Sequence, residues 1–370
     1  MKTIIFFSGY HLPHLGGIER YTDNLSKQFV NMGYKVVIVS SNYNFKDDYF
    51  TPTKNIDYIK LPILKLFSSR YPIPKQNDKF KQLINKLDAY DVEAIIVNTR
   101  FHLTSLVGAK CGYKKKVPVF LIEHGSQHLT VDNKILDWFG AIYEHLLTSH
   151  LKKYVNYYYG VSKEACNWQK HFDIESNGVW YNSINEFNKE KIIKPSDQIN
   201  FLYAGRILKQ KGIIELLNSF ESLSKKYPNI HLDIAGDGNL LLEAKAKYKS
   251  NKINFCGKLN FDELIEKYRK CHIFVYAPNW PEGLPTGILE AGLMECAVIG
   301  SPQGGIKEII DNNKTGLMVN DEDELYNAME NLIINKDLRD KLSKNLNKKI
   351  KREFLWERTA QKIINDINSN

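Results

Sequence analysis

The sequence predicts an α/β protein made of two doubly wound parallel-sheet domains in series. The chain has 370 residues, more than one ordinary core holds and enough for two domains. Short apolar segments alternate with amphipathic helical segments, which is typical of parallel strands covered by helices on both faces. The alternation occurs on both sides of a polar, irregular region from Glu175 to Asp197. We therefore place the first domain at residues 1–180 and the second at 181–350.

The first domain opens with a βαβ pattern, in the order KTIIFFSG, YHLPHLGG, IERYTDNLSKQFVNMG and YKVVIVSS. The predicted helix has one apolar face at helical spacing, formed by Ile18, Tyr21, Leu25, Phe29 and Met32. Gly33 is a typical helix stop. Further strands are predicted at 93–99, 117–125 and 157–162.

The second domain repeats the alternation of strand and helix. Its predicted strands are 199–206, 231–238, 253–259, 272–278, 297–302 and 316–319, separated by helical segments such as KGIIELLNSFESLSKKY. The segment FLWERTAQKIINDI predicts a last amphipathic helix. Because ligands of doubly wound sheets bind at the carboxyl ends of the strands, we expect functional residues in the loops that follow them.

Composition narrows the possible partners. The net charge of +9 and the pI near 9.0 favour a polyanion such as nucleic acid, an anionic membrane or a phosphorylated small molecule. Zinc-finger spacing and a basic-aromatic platform are both absent from the sequence, which argues against nucleic acid. The five scattered cysteines contain no C-x-x-C pair, so neither a disulfide framework nor a zinc site is indicated. With no apolar run of roughly 18 to 20 residues and no signal peptide, a reducing cytoplasm is expected.

Two carboxylates flank the start of a predicted helix in NWPEGLPTGILEAG, residues 279–292. Pro285 suits the first turn, so the helix is predicted to start at Leu284 or Pro285. Glu290 lies off the apolar face, and its side chain tilts back toward the loop that carries Glu282. The N–H groups of the helix end lie between these acids and favour an anion. A nucleotide-sugar, with a central diphosphate and hydroxyls at both ends, would satisfy all three groups; a loop acid and a solvated helix face is the other interpretation.

Two cations follow the first strand of the second domain. In YAGRILKQKG, Arg206 stands at the strand end and Lys211 at the start of the next helix. Such a pair suits a diphosphate, because an arginine binds two oxygens at once. A solvated basic loop is the alternative.

Glycines follow several predicted strands. HLGGIER supplies Gly16 and Gly17 before a helix, AGDGN ends a strand at 235–239, and SPQGGIKEII adds a further glycine pair. Such turns let a ligand approach the backbone closely, although they are common, and none spells the dinucleotide motif G-x-G-x-x-G. His124 ends the strand in LIEHG, where a histidine is either functional or structural.

The ordered motifs GGIER, EHG, YNSIN, YAGRILKQKG, IAGDG, EGLPTGILEAG and GGIKEII resemble the retaining glycosyltransferases of family 4. Those enzymes have the GT-B fold of two facing Rossmann-like domains. The match runs along almost the whole chain and is densest from 199 to 320; its most specific part is the E-x7-E spacing of Glu282 and Glu290. The chain departs from the usual pattern at 182–185, which reads Asn-Ser-Ile-Asn, and at Glu295 and Ala297, where glycine and proline are common.

The resemblance implies a donor nucleotide-sugar, with UDP favoured, on the second domain. Arg206 and Lys211 would bind and stabilise the leaving diphosphate. Glu290 would hold the ribose hydroxyls, while Glu282 and His124 would meet the transferred sugar. The remaining implied donor contacts are Gly16, Gly17, Gly205, Gly236, Gly238, Lys258, Leu259, Gly283, Leu284, Pro285 and Thr286.

The resemblance further implies transfer with retention of configuration and without a metal or cofactor. Two cations and a helix end can offset the charge of a diphosphate, as Mg²⁺ does elsewhere. The D-x-D sequence at 321–323, a metal signature in another transferase fold, follows a strand and opens a helix. We interpret it as a helix cap.

The acceptor is expected on the first domain, by analogy only. It would be a saccharide of cell-surface polysaccharide synthesis carried on a lipid diphosphate such as undecaprenyl diphosphate. The expected contacts are Asn98, Arg100, His102, Gln127 and His128. The stretch LPILKLFSSRYPIPKQNDKFKQL, residues 61–83, mixes basic and apolar side chains and suits the anionic inner face of the plasma membrane, although an ordinary surface helix and loop has the same composition. A final helix at 351–370 is expected to pack on the first domain. The alternative functions are a silent GT-B partner protein, a sugar-nucleotide epimerase and a nucleic-acid binder.

Overall fold

The structure is a computed structural model that describes residues 1–11, 16–42, 48–64, 72–129, 133–186, 192, 194–281 and 283–369. The chain forms two compact units. Unit 1 comprises Met1–Asn182 and Trp356–Asn370, and unit 2 comprises Ser183–Leu355. The boundaries predicted from the sequence were 180/181 and 350/351.

The strands of unit 1 are β1 (Thr3–Phe7), β2 (Lys35–Ser41), β3 (Tyr49–Thr53), β4 (Ile56–Leu61), β5 (Ile63–Leu64), β6 (Ile73–Pro74), β7 (Val92–Asn98), β8 (Val119–Glu123), β9 (Tyr157–Gly160) and β10 (Gly178–Val179). Within the described residues, eight of them form one sheet in the order β10-β9-β8-β7-β1-β2-β4-β3. Its neighbours are parallel except for β3 and β4, and β5 and β6 form a separate antiparallel pair.

The helices of unit 1 are α1 (Gly17–Asn31), α2 (Asp78–Asn85), α3 (Leu103–Lys115), α4 (Lys134–Leu151), α5 (Lys163–Gln169) and α13 (Trp356–Asn368). Alternate residues of the central strands enter two different cores; Phe6 belongs to one and Phe7 to the other. This is the pattern of a sheet covered on both faces. The apolar face predicted for α1 is confirmed, because Tyr21, Leu25 and Phe29 are fully buried.

The last helix, α13, returns to unit 1. The Trp356 ring lies 5.1 Å from the ring of Tyr21 in α1, and the buried Trp180 donates from Nε1 to Asp366 at 2.7 Å. The helix begins at Trp356 and not at 351, because Lys336–Glu353 forms the preceding helix of unit 2. None of the helices that the structure describes is both long enough and apolar enough to cross a membrane.

Unit 2 contains β11 (Ile199–Ala204), β12 (Ile230–Ala235), β13 (Ile253–Gly257), β14 (Ile273–Tyr276), β15 (Ala297–Gly300) and β16 (Leu317–Met318). Its helices are α6 (Ile213–Lys226), α7 (Leu241–Lys247), α8 (Phe261–Lys270), α9 (Thr286–Leu293), α10 (Ile306–Ile309), α11 (Glu322–Ile334) and α12 (Lys336–Glu353). In the described residues the strands form one sheet in the order β13-β12-β11-β14-β15-β16, and every pairing is parallel. The two parallel-sheet units confirm the predicted α/β fold class.

Strand order reverses once in each unit. In unit 1 the reversal lies between β1 and β7, and in unit 2 it lies between β11 and β14. A doubly wound sheet binds its ligands outside the carboxyl ends of the strands at such a point. The loops after β1 and β7 in unit 1, and after β11 and β14 in unit 2, are therefore the candidate ligand-binding loops. The loop after β8 follows the strand next to β7 in the sheet.

Candidate active site

The loop after β11 presents the two cations predicted to bind a diphosphate. Arg206 is exposed and pairs with no acidic side chain in the part of the chain that the structure describes. Lys211 ends a 3₁₀ turn at Lys209–Lys211, and its Nζ donates to the hydroxyl of Tyr276 at 3.3 Å. The hydroxyl of Tyr203 in turn donates to the carbonyl of Arg206 at 2.8 Å. Tyrosines of the two strands at the switch point thus hold the loop that carries both cations.

Glycines fix this loop against its neighbours. Gly236 has φ +144°, and a Cβ there would lie 1.8 Å from the carbonyl oxygen of Gly205. Gly212 has φ +70°, and its Cβ would lie 2.1 Å from the oxygen of Ala277. A Cβ on Gly238 would lie 2.3 Å from the oxygen of Ile207. Gly236 and Gly238, predicted to admit a ligand, are therefore required by the approach of the protein's own backbone.

The N-terminus of α9 follows the loop that connects it to β14. The predicted start at Leu284 or Pro285 is wrong by one or two residues, because Pro285 has an extended backbone with ψ 112° and the helix begins at Thr286. No described side chain caps this end, which leaves first-turn amides for an external acceptor. The carbonyl of Gly283 accepts from the amide of Gly305 at 2.9 Å, which links this loop to the loop after β15.

Glu290 lies one turn into α9 and is half-buried, while its neighbours Leu289 and Ala291 are fully buried. The prediction that it is not a buried core acid is confirmed. The Tyr268 hydroxyl of α8 donates to the carbonyl of Gly287 at 3.3 Å. Burial, followed by the charge and hydrogen bond of Glu290, raises the pKa of Tyr268 well above its ordinary value. Tyr268 therefore stays protonated beside the carboxylate of Glu290.

Other residues predicted to bind the donor in unit 2 differ in their exposure to solvent. Lys258 is exposed and Leu259 is half-buried; both follow β13 and precede Asn260, which caps α8 by accepting from the amide of Glu263. Leu284 is buried. Glu282, predicted to meet the transferred sugar, lies outside the described residues.

In unit 1, Asn98 and His124 form a hydrogen-bonded pair at the ends of β7 and β8. The amide nitrogen of Asn98 donates to Thr22 at 3.0 Å and to Ser8 at 3.3 Å, so its oxygen is left to accept from Nε2 of His124 at 2.9 Å. His124 then carries its proton on Nε2 and a lone pair on Nδ1. Burial lowers the pKa of His124 to about 3, so the ring is neutral at neutral pH.

Arg100 lies inside the protein. Its side chain is 1% exposed, with Nε 3.1 Å from Glu123 and one terminal nitrogen 2.8 Å from Glu144. Glu123 also accepts from the amides of His124 and Gly125. Its pKa is raised by burial, against the opposing charge of Arg100. The contacts of Arg100 therefore position the loop that carries His124, and contact with an acceptor stays a prediction.

The remaining residues predicted in unit 1 fall in three places. His102 packs so closely that a Cβ on Gly9 would meet its ring at 2.4 Å, and burial lowers its pKa to about 4. Gln127 is exposed. His128 contacts Glu144 through Nδ1 at 3.1 Å.

Gly16 and Gly17 open α1 after the β1 loop. Gly16 precedes the helix, and a Cβ there would lie 2.4 Å from a carboxylate oxygen of Glu19. A Cβ on Gly17 would meet none of the described residues within 4 Å. The described part of the fold therefore does not demand glycine at position 17.

The D-x-D sequence has the structural role predicted for it. Asp321 caps α11, and its carboxylate accepts from the amide of Glu324 at 2.8 Å. The interpretation as a helix cap is confirmed.

Two known protein families together match most of the chain. The family described as Glycosyltransferase Family 4 matches residues 15–186, and the family described as Glycosyl transferases group 1 matches residues 184–349. The chain is a GT-B glycosyltransferase of the family 4 type. It is 25% identical to an uncharacterized glycosyltransferase of Methanocaldococcus jannaschii, over 97% of this chain and 96% of that protein.

Two further proteins resemble this glycosyltransferase. One is an α-1,4-N-acetyl-D-galactosaminyltransferase of Campylobacter jejuni that is named for an undecaprenol-diphosphate-linked glycan; it is 30% identical over 40% of each chain. The other is the crystal structure of Anabaena HepE in complex with UDP, which has a TM-score of 0.73 and 14% identity and covers all of both chains. The second likeness shows the fold alone.

The tyrosines that support the transferase's charged residues escaped sequence analysis. Tyr203, Tyr268 and Tyr276 contact Arg206, Glu290 and Lys211 respectively. Tyr203 and Tyr276 lie near the ends of the two strands at the switch point. Polar aromatic residues at such strand ends, in a segment otherwise apolar, are a signal that could have identified them.

The low pKa values of four histidines predict that the transferase is acid-sensitive. Burial lowers the pKa of His11 and His124 to about 3 and that of His102 and His272 to about 4. An unfolded histidine has a pKa near 6.5. Below that pH the unfolded chain binds protons that the native protein does not, so stability falls as pH drops from about 6.5 towards 4.

His11→Leu is expected to reduce this acid sensitivity. The His11 side chain is 3% exposed, and neither ring nitrogen has a hydrogen-bond partner among the described residues. Its removal should lessen the pH slope by up to about 1.4 kcal/mol per unit and leave stability at pH 7.5 unchanged or higher. Thermal melts between pH 7.5 and 5 test this, with the exposed His231→Leu as control. Equal acid sensitivity in wild type and His11→Leu would contradict the assignment.

Proposed function

We propose that the protein is a retaining, metal-independent glycosyltransferase that moves a hexose from a nucleoside diphosphate sugar, with UDP favoured, to a saccharide hydroxyl. The observation that carries the proposal is the charge arrangement at the switch point of unit 2. Arg206 and Lys211 follow β11. Glu290 and the end of α9, which no described side chain caps, follow β14. This set matches a ligand with a central diphosphate and a ribose.

The cations and the helix end would bind the leaving group. The acceptor oxygen attacks the anomeric carbon while the bond from that carbon to the diphosphate oxygen breaks, and its electron pair goes to the diphosphate. Negative charge thus grows where Arg206, Lys211 and the first amides of α9 can stabilise it. The same groups supply the stabilisation that a metal ion supplies in other transferases.

The proton of the acceptor hydroxyl passes to the leaving diphosphate in this proposal. His124 is neutral and its pKa is about 3, so it is a weak base at neutral pH. It suits a contact with a sugar hydroxyl, to which Nδ1 offers a lone pair. Transfer of the proton to the departing oxygen keeps both oxygens on one face of the sugar, and configuration is retained.

The relatives support the choice of donor and acceptor. The fold neighbour HepE was solved with UDP, and the Campylobacter relative is named for a lipid-diphosphate-linked glycan. We therefore propose a UDP-sugar donor and a lipid-diphosphate-linked saccharide acceptor in cell-surface polysaccharide synthesis. Glu282 is proposed to meet the transferred sugar, and unit 1 is proposed to hold the acceptor.

The exposed face of α4 supports work at the cytoplasmic face of an anionic membrane. Seven large apolar side chains of this helix are exposed: Ile135, Leu136, Trp138, Phe139, Ile142, Tyr143 and Leu146. Exposed lysines lie at the two ends of the helix, at 134, 152 and 153. Apolar insertion together with basic flanks is the pattern of an interfacial helix. The stretch 61–83 was also predicted to contact the membrane. Its residues 65–71 lie outside the described part of the chain, and Leu64 is the exposed large apolar residue among its described ones.

A silent partner protein is the second candidate and is less well supported. A partner without catalysis needs no diphosphate site, yet Arg206, Lys211 and Glu290 are all present and stand at the switch point. An epimerase would also bind the nucleotide-sugar, but it would release the sugar without an acceptor. Product analysis of the transfer assay separates these outcomes.

Lys211→Ala is expected to lower kcat/KM by about 100- to 1,000-fold, because it removes one stabilising group from the leaving diphosphate. The matched control is Lys209→Ala, an exposed lysine of the same turn, which should leave kcat/KM unchanged. The measurement is release of nucleoside diphosphate from UDP-, GDP-, ADP- and dTDP-sugars with a saccharide acceptor. If Lys211→Ala and Lys209→Ala retain equal turnover, the site assignment is wrong.

Gly17→Ala and Gly283→Ala are expected to impair donor binding without harming the fold. An added Cβ meets no described atom within 4 Å at either position, so thermal stability should hold or rise. If the donor phosphates and sugar lie against these backbones, the methyl group raises the donor KM. Gly140→Ala in α4 is equally open and serves as the control. Unchanged donor KM in both variants would place the donor elsewhere.

The double variant Trp138→Ser, Leu146→Ser is expected to lose flotation with liposomes of anionic phospholipid. Both side chains are more than half exposed, so their replacement should not alter the melting temperature. Leu242→Ser, which changes a side chain of α7 that is 81% exposed, is the control and should float like wild type. Equal flotation of the double variant would exclude α4 as the membrane contact.

A further inference from the structure

Three histidines from different elements of unit 1 meet at one point. They are His128 in the loop after β8, His145 in α4, and His171 in the 3₁₀ turn Lys170–Phe172. One ring nitrogen from each lies within 4.8 Å of those of the others, and no other such group of histidine, cysteine or carboxylate side chains occurs in the described residues. Nε2 of His128 and Nε2 of His171 are 3.1 Å apart. Convergence from three separate elements distinguishes this cluster from histidines scattered along a surface helix.

The ring of His128 is oriented from behind by a buried carboxylate. Nδ1 of His128 lies 3.1 Å from Glu144, which is 1% exposed and is held by Arg100 at 2.8 Å. Donation from Nδ1 to this carboxylate leaves the Nε2 lone pair directed at the other histidines. A carboxylate that binds the far nitrogen of an imidazole is the usual second layer of a histidine–metal site.

Aromatic contacts hold the other two rings. Trp168 stacks on His171 with 4.8 Å between ring centroids and 7° between planes, and Phe172 lies 4.6 Å from His145. Both histidines are exposed, so a small ion can reach them from solvent. The rings are thus supported on the protein side and open on the other.

The spacing of the nitrogens fits a tetrahedral ion. Two ligands at the usual zinc–nitrogen distance are separated by about 3.3 Å, close to the 3.1 Å between His128 and His171. The third nitrogen lies within 4.8 Å, and rotation of the exposed His145 side chain can shorten that separation. Three neutral imidazoles are a ligand set that suits zinc, copper and nickel and is poor for Mg²⁺ or Ca²⁺.

We propose that His128, His145 and His171 bind one divalent first-row transition ion of the Zn²⁺ class, with water in the fourth position and Glu144 as the second-layer carboxylate. The ion joins the loop after β8, helix α4 and the 3₁₀ turn into one rigid unit. Because that loop also carries Gln127, metal binding orders a region proposed to contact the acceptor. The site is separate from the diphosphate chemistry of unit 2.

Isothermal titration with Zn²⁺ tests the site directly and does not depend on transferase activity. The full chain, carrying no polyhistidine tag and stripped of metal with a chelator that is then removed, is titrated at pH 7.5. We expect one ion per chain in wild type. In His145→Gln and in His171→Gln the dissociation constant should rise at least about tenfold. The control His231→Gln changes an exposed histidine of unit 2 and should keep the wild-type constant.

A second measurement identifies the ligands. Co²⁺ bound by three imidazoles gives visible d–d absorption, which should disappear in the double variant His145→Gln, His171→Gln. Both changed residues are exposed, so circular dichroism should show an unaltered fold. The proposal is overturned if wild type shows no saturable binding of one ion, or if the double variant binds Zn²⁺ as tightly as wild type.

Discussion

The proposed donor site of unit 2 depends on backbone contacts that only glycine permits. Gly236 approaches the carbonyl of Gly205, and Gly212 approaches the carbonyl of Ala277, at distances where a Cβ would overlap an oxygen atom. The loop with Arg206 and Lys211 is thereby held between the loops that follow β12 and β14. Arg206, which pairs with no acid among the described residues, keeps its charge available for a ligand such as the proposed diphosphate.

Unit 1 positions its polar residues by a different means. Arg100 joins Glu123 and Glu144 in a buried ion network, and Glu123 holds the amides of the loop with His124. Buried charges of this kind are costly to remove one at a time, because the partner is left unpaired. Through Glu144 the same network reaches His128 and the histidine cluster. One buried arginine thus orients both the neutral His124, which is proposed to contact the sugar, and a proposed metal ligand.

Local pattern was enough to predict much of the fold but only part of the site. The helical spacing of α1 and the apolar strands are local properties, so the two sheets and the face with Tyr21, Leu25 and Phe29 follow from the sequence. The position of Arg206 and Lys211 at a strand end follows in the same way. The burial of Arg100 and the convergence of His128, His145 and His171 depend on long-range packing. The spacing of these residues in the sequence does not predict either feature. Pro285 shows the limit at a boundary, since proline suits both the first helical position and an extended residue before it.

Glu295 occupies the position after α9 where glycine is common in the family, and it has φ +54°. A non-glycine residue pays about 1 to 2 kcal/mol for that conformation. The strain is compatible with the fold because the turn is anchored on both sides. The carbonyl of Glu295 accepts from Lys194, and the amide of Cys296 donates to Ala291 at 2.9 Å. The same turn ends the helix that carries Glu290. These contacts therefore fix the end of α9 although residue 295 is not glycine.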